Sequence, residues 1–259
     1  MSAEIVVAAH PDDEVIGAGA RLAATPGAVV VHVTDGAPRD LADAQALGFA
    51  SRDDYAAARR REGEAALGLA GIDGDRIIEL GVVDQEGARE LPAIARALEE
   101  ILRARRAAVV LTHAYEGGHP DHDATALAVH AACALLGNGA PALWEMTGYH
   151  LDAQTGAVVR GAFLPAPEAG PELVHAVVGR GAALKEQMYA AFATQARVLA
   201  EFPRGLERFR RAPRYRFTRP PHEGPLHYER FSWGITGAEF CERARVALAA
   251  LGLRPDEAL

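Results

Sequence analysis

The chain has 259 residues, 49% apolar and 24% charged, with a net charge of −8. This is ordinary globular composition, long enough for one large domain, and the negative balance excludes a general attraction to nucleic acid or anionic membrane. The two cysteines, Cys133 and Cys241, are far apart and form no CxxC pair, which excludes a disulfide framework and a Cys-based zinc site. The N-terminus has no basic stretch before its short apolar run, and no segment approaches the roughly 20 apolar residues of a membrane helix, so a cytoplasmic location is expected.

In chain order, 5–9 is a short apolar run suited to a buried strand, and 14–24 reads as an Ala/Gly/Leu-rich helix closed by Pro26-Gly27. A second strand covers 28–33 and ends at Thr34-Asp35-Gly36. The stretch 35–55, with Gly36, Pro38 and Gly48, reads as a loop facing the substrate. A helix over 59–70, a strand over 76–80, a helix over 91–106, a strand over 107–111 and a helix over 121–136 follow. This alternation predicts an α/β fold: a Rossmann-like, mostly parallel twisted sheet with helices on both faces. The second half is less regular. A strand is expected within 142–151, a helix over 179–200, irregular chain rich in Pro, Arg and aromatic residues over 203–228, and a closing helix over 236–251. The whole chain, 1–259, is read as a single domain, with a Rossmann-like core at 1–140 and a substrate-side part at 141–259 that covers the site or packs on a second copy of the chain.

Two turns share one pattern. His10-Pro11-Asp12-Asp13-Glu14 follows the first strand, and His119-Pro120-Asp121-His122 follows the fourth. At the carboxyl edge of a parallel sheet the two can meet in space. Together they offer His10, Asp12, Asp13, His119 and His122. Two imidazoles and one carboxylate make a common catalytic zinc set, and a spare carboxylate can act as base on a water; the same set suits iron(II). Acids at such a turn also serve as plain helix N-caps, but their joint occurrence with the second turn favours a shared metal. His113 at the end of the fourth strand reads as a hydrogen-bonded structural residue, and His32 as core or second layer. Gly17-Ala18-Gly19-Ala20 falls inside the first helix and leaves the first turn without a dinucleotide-binding GxGxxG.

At AHPDDE and HPDH the chain resembles the PIG-L/LmbE-like zinc N-deacetylases, over roughly residues 3–135. Thr34-Asp35-Gly36 and the Arg59-Arg60-Arg61-Glu62 run add to the resemblance. The family includes de-N-acetylases of GlcNAc-phosphatidylinositol, of mycothiol and bacillithiol precursors and of glycopeptide antibiotics. The resemblance implies His10, Asp13 and His122 as zinc ligands, Asp12 as general base, and His119 as the group that stabilises the oxyanion or assists protonation. It also implies Arg59 and Asp84 as substrate-side residues, and a small N-acylated, amino-sugar-like substrate. Two departures stand out: Gly117 occupies the place of a Tyr in the mycothiol-type relatives, and Ala37 that of an acidic residue. Lys185, Gln187 and Gln195 loosely match a Lys-to-Gln stretch in relatives and read equally well as a solvated helix face. Trp144, Tyr149, Phe163 and Trp233 read as core packing or as an aromatic wall for a sugar. Two other classes remain in view: a metal-dependent hydrolase of another bond such as a phosphoester, and a non-catalytic metal-binding module.

Overall fold

The computed structural model describes residues 3–166 and 168–259. Strands β1 (Glu4–Ala8), β2 (Val29–Pro38), β3 (Ile77–Asp84), β4 (Val109–His113) and β5 (Ala142–Met146) run parallel. Strands β6 (Tyr149–Leu151) and β7 (Val158–Arg160) form a separate antiparallel pair, while β8 (Leu173–Ala176) and β9 (Leu206–Arg211) continue the main sheet. The sheet order is β3-β2-β1-β4-β5-β9-β8. The chain builds outward from β1 in one direction and then returns to add β4 on the other side. The crevice beyond the carboxyl ends of β1 and β4 is therefore the switch point where ligands bind in such sheets.

Helices α1 (Asp13–Ala24), α2 (Ala42–Ala46), α3 (Arg52–Leu69), α4 (Leu91–Ala104), α5 (Pro120–Leu136), α6 (Gly179–Ala191), α7 (Ala196–Leu199) and α8 (Gly237–Ala250) surround the sheet. The period-two alternation of β1 explains the two layers. Ile5 and Val7 join one core with residues of α4, α5 and α8; Val6 and Ala8 join another with residues of α1, α3 and α6.

Several expected boundaries move. Strand β2 runs on to Pro38, and α2 occupies part of the expected 35–55 loop. Helix α3 begins at Arg52, because Ser51 caps it by accepting the Asp54 amide proton at 3.1 Å. Arg59 therefore sits mid-helix. The expected strand over 142–151 divides at 147–148 into β5 and β6, and the expected helix over 179–200 divides into α6 and α7. The expected irregular stretch contains β9, which its sequence, LERFRR, disguises. Glu207 and Arg210 are buried charges, each satisfied by a partner far away in sequence.

Helix α1 kinks at Ala18 (φ −146, ψ 20). Glu207 enters there, accepting from the Ala20 amide at 2.7 Å and the Arg21 amide at 3.0 Å. Lys185 Nζ donates to Ile16 O at 2.9 Å and to Glu207 Oε1 at 2.8 Å. Side chains inserted into the helical ladder are a standard cause of such a kink. Lys185 is 1% exposed, which overturns the solvated-face reading of this residue; Gln187 is exposed. The glycines in the kink make room: a Cβ on Gly17 would lie 2.6 Å from Met146 Sδ.

Candidate metal centre at the carboxyl edge of the sheet

The turn after β1 carries the first group of side chains. Asp12 immediately precedes α1 but makes no side-chain cap bond, so its carboxylate is not spent on the helix. Its backbone has φ 134, a conformation that strains a non-glycine residue by about 1–3 kcal/mol. Two contacts hold it: the Asp12 amide donates to Glu14 Oε2 at 3.1 Å, and Arg59 Nη2 lies 3.3 Å from Asp12 Oδ2 while donating to Pro11 O at 2.8 Å. Gly36 makes this reach of Arg59 feasible, since a Cβ there would lie 2.8 Å from the guanidinium. Asp13 turns the other way. Its two carboxylate oxygens lie 3.0 Å from His10 Nδ1 and 3.1 Å from His122 Nε2.

The turn before α5 carries the second group. His119 caps this helix, its Nδ1 accepting the Asp121 amide proton at 3.1 Å, with Pro120 at the first position. That acceptor role puts the proton of the neutral ring on Nε2, which lies 4.0 Å from Asp84 Oδ1. Asp121 accepts from the Gln85 amide at 2.6 Å and the Gly87 amide at 2.9 Å, and so ties the loop after β3 to the site. Asp84 thereby reaches His10, 3.1 Å from its Nε2. Asp123 accepts from the Glu116 and Gly117 amides at 3.2 and 3.1 Å and fixes the turn from the far side. Neither Asp121 nor Asp123 stands out in the sequence as a site residue, although both belong to the HPDHD run.

Among the described residues, three groups have ligand atoms close enough to share an ion: His10 with His119 and His122; His10 with Asp84, His119 and Asp121; and Asp13 with His113 and His122. His10, Asp12, Asp13, His119 and His122 are all buried at one place. His113 Nε2 accepts the Ala9 amide proton at 3.0 Å, and its ring stacks on His122 at 4.1 Å. His32 lies 3.1 Å from buried Glu14, beneath the first turn.

The electrostatics follow from three buried carboxylates, Asp12, Asp13 and Asp121, and the half-buried Asp84 beside imidazoles. Burial alone would lower the pKa of His10, but Asp84, Asp121 and Asp13 outweigh it and raise the pKa well above the ordinary value. Burial lowers His119, reinforced by His10, and keeps the ring neutral. Burial also takes His113 down to about 4. Asp13 resists the upward push of burial because His122, His113 and His10 hold it well below the carboxylate range. Asp12 is raised to about 7 by burial, with Asp13 and Glu14 adding to the effect and Arg59 opposing it. Nitrogen and oxygen donors in this mixture, with acids in excess, fit a divalent cation of the zinc or iron(II) type.

The centre opens into a cavity of about 200 Å³. One wall is polar, with Asp43, Arg59, Gln195 and Tyr55; the Gln195 amide donates to the Tyr55 hydroxyl at 2.8 Å. The other holds Ile16, Tyr149, Val198, Phe202 and Trp233. Of the four aromatic residues singled out in the sequence, Tyr149 and Trp233 line the cavity. Phe163 instead packs under Arg210 at 4.2 Å, and Trp144 sits beside Arg211 at 5.6 Å. Asp43, Tyr55 and Phe202 carry no sequence signal, since only the crossovers of the chain bring them here. Gly117 has φ +70 and faces Leu226, whose Cδ2 would lie 2.7 Å from a Cβ at that position, so a larger residue there would strain the backbone and displace the buried leucine.

Residues 5–133 match the family model described as PIG-L, GlcNAc-PI de-N-acetylase. A 1D-myo-inositol 2-acetamido-2-deoxy-alpha-D-glucopyranoside deacetylase 2 of Saccharopolyspora erythraea is 38% identical over 159 residues, covering 52% of this chain and 57% of that protein. The corresponding deacetylase of Kineococcus radiotolerans is 30% identical over 206 residues, covering 65% of this chain and 56% of the relative. The matches thus span a little over half the length of these curated relatives. The fold is similar to that of a teicoplanin deacetylase solved in its zinc-inhibited form, with TM-score 0.60 and 20% identity over 81% of this chain and 97% of that one. Residues 5–133, which carry both turns of the switch-point cluster, thus belong to the PIG-L (LmbE-like) family.

Proposed function

We propose that the protein is a metal-dependent amide hydrolase that removes the N-acetyl group from an amino sugar. One observation carries this reading. The Asp13 carboxylate is occupied by His10 and His122, while its neighbour Asp12 stays unengaged by any imidazole and borders the same cavity. Two adjacent acids are thereby divided between holding and reacting. His10, Asp13 and His122 would hold the cation. When bound, such a cation acidifies a water molecule and polarises the amide carbonyl. Asp12 takes the proton from the attacking water as its oxygen bonds to the acyl carbon. His119, with its proton on Nε2, donates to the developing oxyanion. The carbon–nitrogen bond then breaks, and the proton held by Asp12 passes to the leaving amine, giving acetate and a free amino sugar. Arg59 aims Asp12 and borders the cavity, where its charge faces the substrate side. Asp84 steadies His10.

The names of the relatives support the substrate class, since both curated proteins are described as deacetylases of a 2-acetamido-2-deoxy-glucopyranoside. The overlap of donors supports a centre shared by the two turns, because His10 and His122 each belong to two of the three candidate groups. Acetate release from N-acetylglucosamine and its simple glycosides tests the reading. Turnover should vanish in chelator and return on adding zinc or iron(II). Absence of acetate from every such substrate by metal-loaded protein, or unchanged turnover by metal-free protein, would overturn it.

A further inference from the structure

The cavity at the metal centre is small. Its volume of about 200 Å³ lies below the roughly 300–1,000 Å³ of pockets that enclose drug-sized ligands. A single sugar ring with its acyl group is the scale of what fits, and the remainder of any larger substrate must lie outside the mouth.

The mouth is not neutral in character. Three rings step outward from the centre: His119 packs against Trp233 at 4.6 Å, and Trp233 stacks on Phe231 at 4.5 Å with only 13° between their planes. His227 bridges a second path, 5.1 Å from Phe231 and 5.2 Å from the cavity residue Tyr149. Phe231, the last ring, is 45% exposed. On another side, Val198 lines the cavity and is 42% exposed. Leu41 and Leu47, which flank the short helix bearing the cavity residue Asp43, are exposed as well. Of these, Phe231 is the one joined to the centre by packed rings, and an exposed apolar surface continuous with a site marks contact with a ligand or partner.

We propose that the stacked pair Trp233–Phe231 is a subsite for an apolar, aromatic aglycone, so that the substrate is an N-acetyl amino sugar joined glycosidically to a flat hydrophobic group. The inference rests on the deacetylase reading for the sugar ring and adds the identity of what the ring carries. The polar wall of Arg59, Gln195 and Asp43 takes the hydroxyl edge of the sugar. The aglycone leaves the mouth along the rings and stacks on the open face of Phe231. Offset stacking between aromatic rings supplies the preference.

The test compares phenyl and methyl 2-acetamido-2-deoxyglucopyranosides, in both anomers, by direct binding and by turnover. The protein has two tryptophans, so a Trp144→Phe background leaves Trp233 as the only tryptophan reporting binding by fluorescence. One phenyl anomer should bind about five- to tenfold more tightly than its methyl counterpart. Phe231→Ser should erase that ratio, and Val246→Ser, a change at an exposed apolar residue of α8, should leave it intact. Equal affinity of phenyl and methyl glycosides, or an unaltered ratio in Phe231→Ser, overturns the subsite. Binding decides this even where no glycoside is turned over, while turnover of the methyl glycoside alone upholds the deacetylase reading without the subsite.

Discussion

Helix α1 joins two buried clusters of charge that have opposite logic. At its kink, Lys185 and Glu207 face each other, and every nearby backbone group they touch gains a partner. At its start, Asp13, Asp84 and Asp121 crowd around imidazoles, with Asp12 beside them as a further acid. The first cluster balances itself and needs nothing from outside. In the second, Arg59 faces Asp12, and the other three carboxylates have imidazoles as their charged partners. Both clusters are largely buried, so burial alone does not separate structure from function; the kind of partner each charge has does.

That contrast predicts different consequences for removing one member of each. Asp12→Asn keeps the size of the side chain and tolerates the positive φ, but cannot accept a proton. Turnover should fall by about 10²–10⁴-fold, with metal content and melting temperature nearly unchanged. Normal turnover with full metal would remove Asp12 from the chemistry. Lys185→Met should act in the reverse manner, destabilising the fold by about 3–5 kcal/mol because it strands the buried Glu207 carboxylate. The double change Lys185→Met with Glu207→Gln should regain much of that loss, since Gln still offers an oxygen to the amides of α1. Urea unfolding of the three proteins measures the difference. A single-variant loss below about 1 kcal/mol would mean the pair is not the staple of the kink.

The two clusters also differ in how far the sequence discloses them. The metal-centre turns are short, follow apolar strands and repeat one pattern, so the amino-acid order alone is enough to pair His10 and Asp13 with His119 and His122. Arg59 and Asp84 are legible only through the family resemblance, because what brings Arg59 to Asp12 is a helix that starts seven residues earlier than its apolar pattern suggests, at Ser51-Arg52. Lys185–Glu207 is hidden for a different reason. A buried ion pair reads as two solvated residues in sequence, and its meaning depends on a kink in a third element. Tyr149, Gln195 and Trp233 reach the cavity from the second half, where β8 and β9 extend the sheet backward and no local periodicity announces the approach.

His130 supplies a third solution to burying a titratable group, which is to remain uncharged. It lies on α5 against Tyr215 and Phe217, with ring centroids at 5.4 and 5.2 Å, and burial lowers its pKa to about 4. The unfolded chain, with an ordinary value near 6.5, binds the proton first as pH falls. Stability is therefore whole above about pH 6.5 and declines as pH drops toward 4, by about 2 kcal/mol between pH 7 and pH 5 for this one residue. His130→Leu should remove that share. Urea unfolding at pH 7 and pH 5 should show the variant losing about 2 kcal/mol less than the parent on acidification. Equal acid sensitivity would mean that His130 takes up its proton as readily in the fold as in the unfolded chain, and so is not held uncharged by burial.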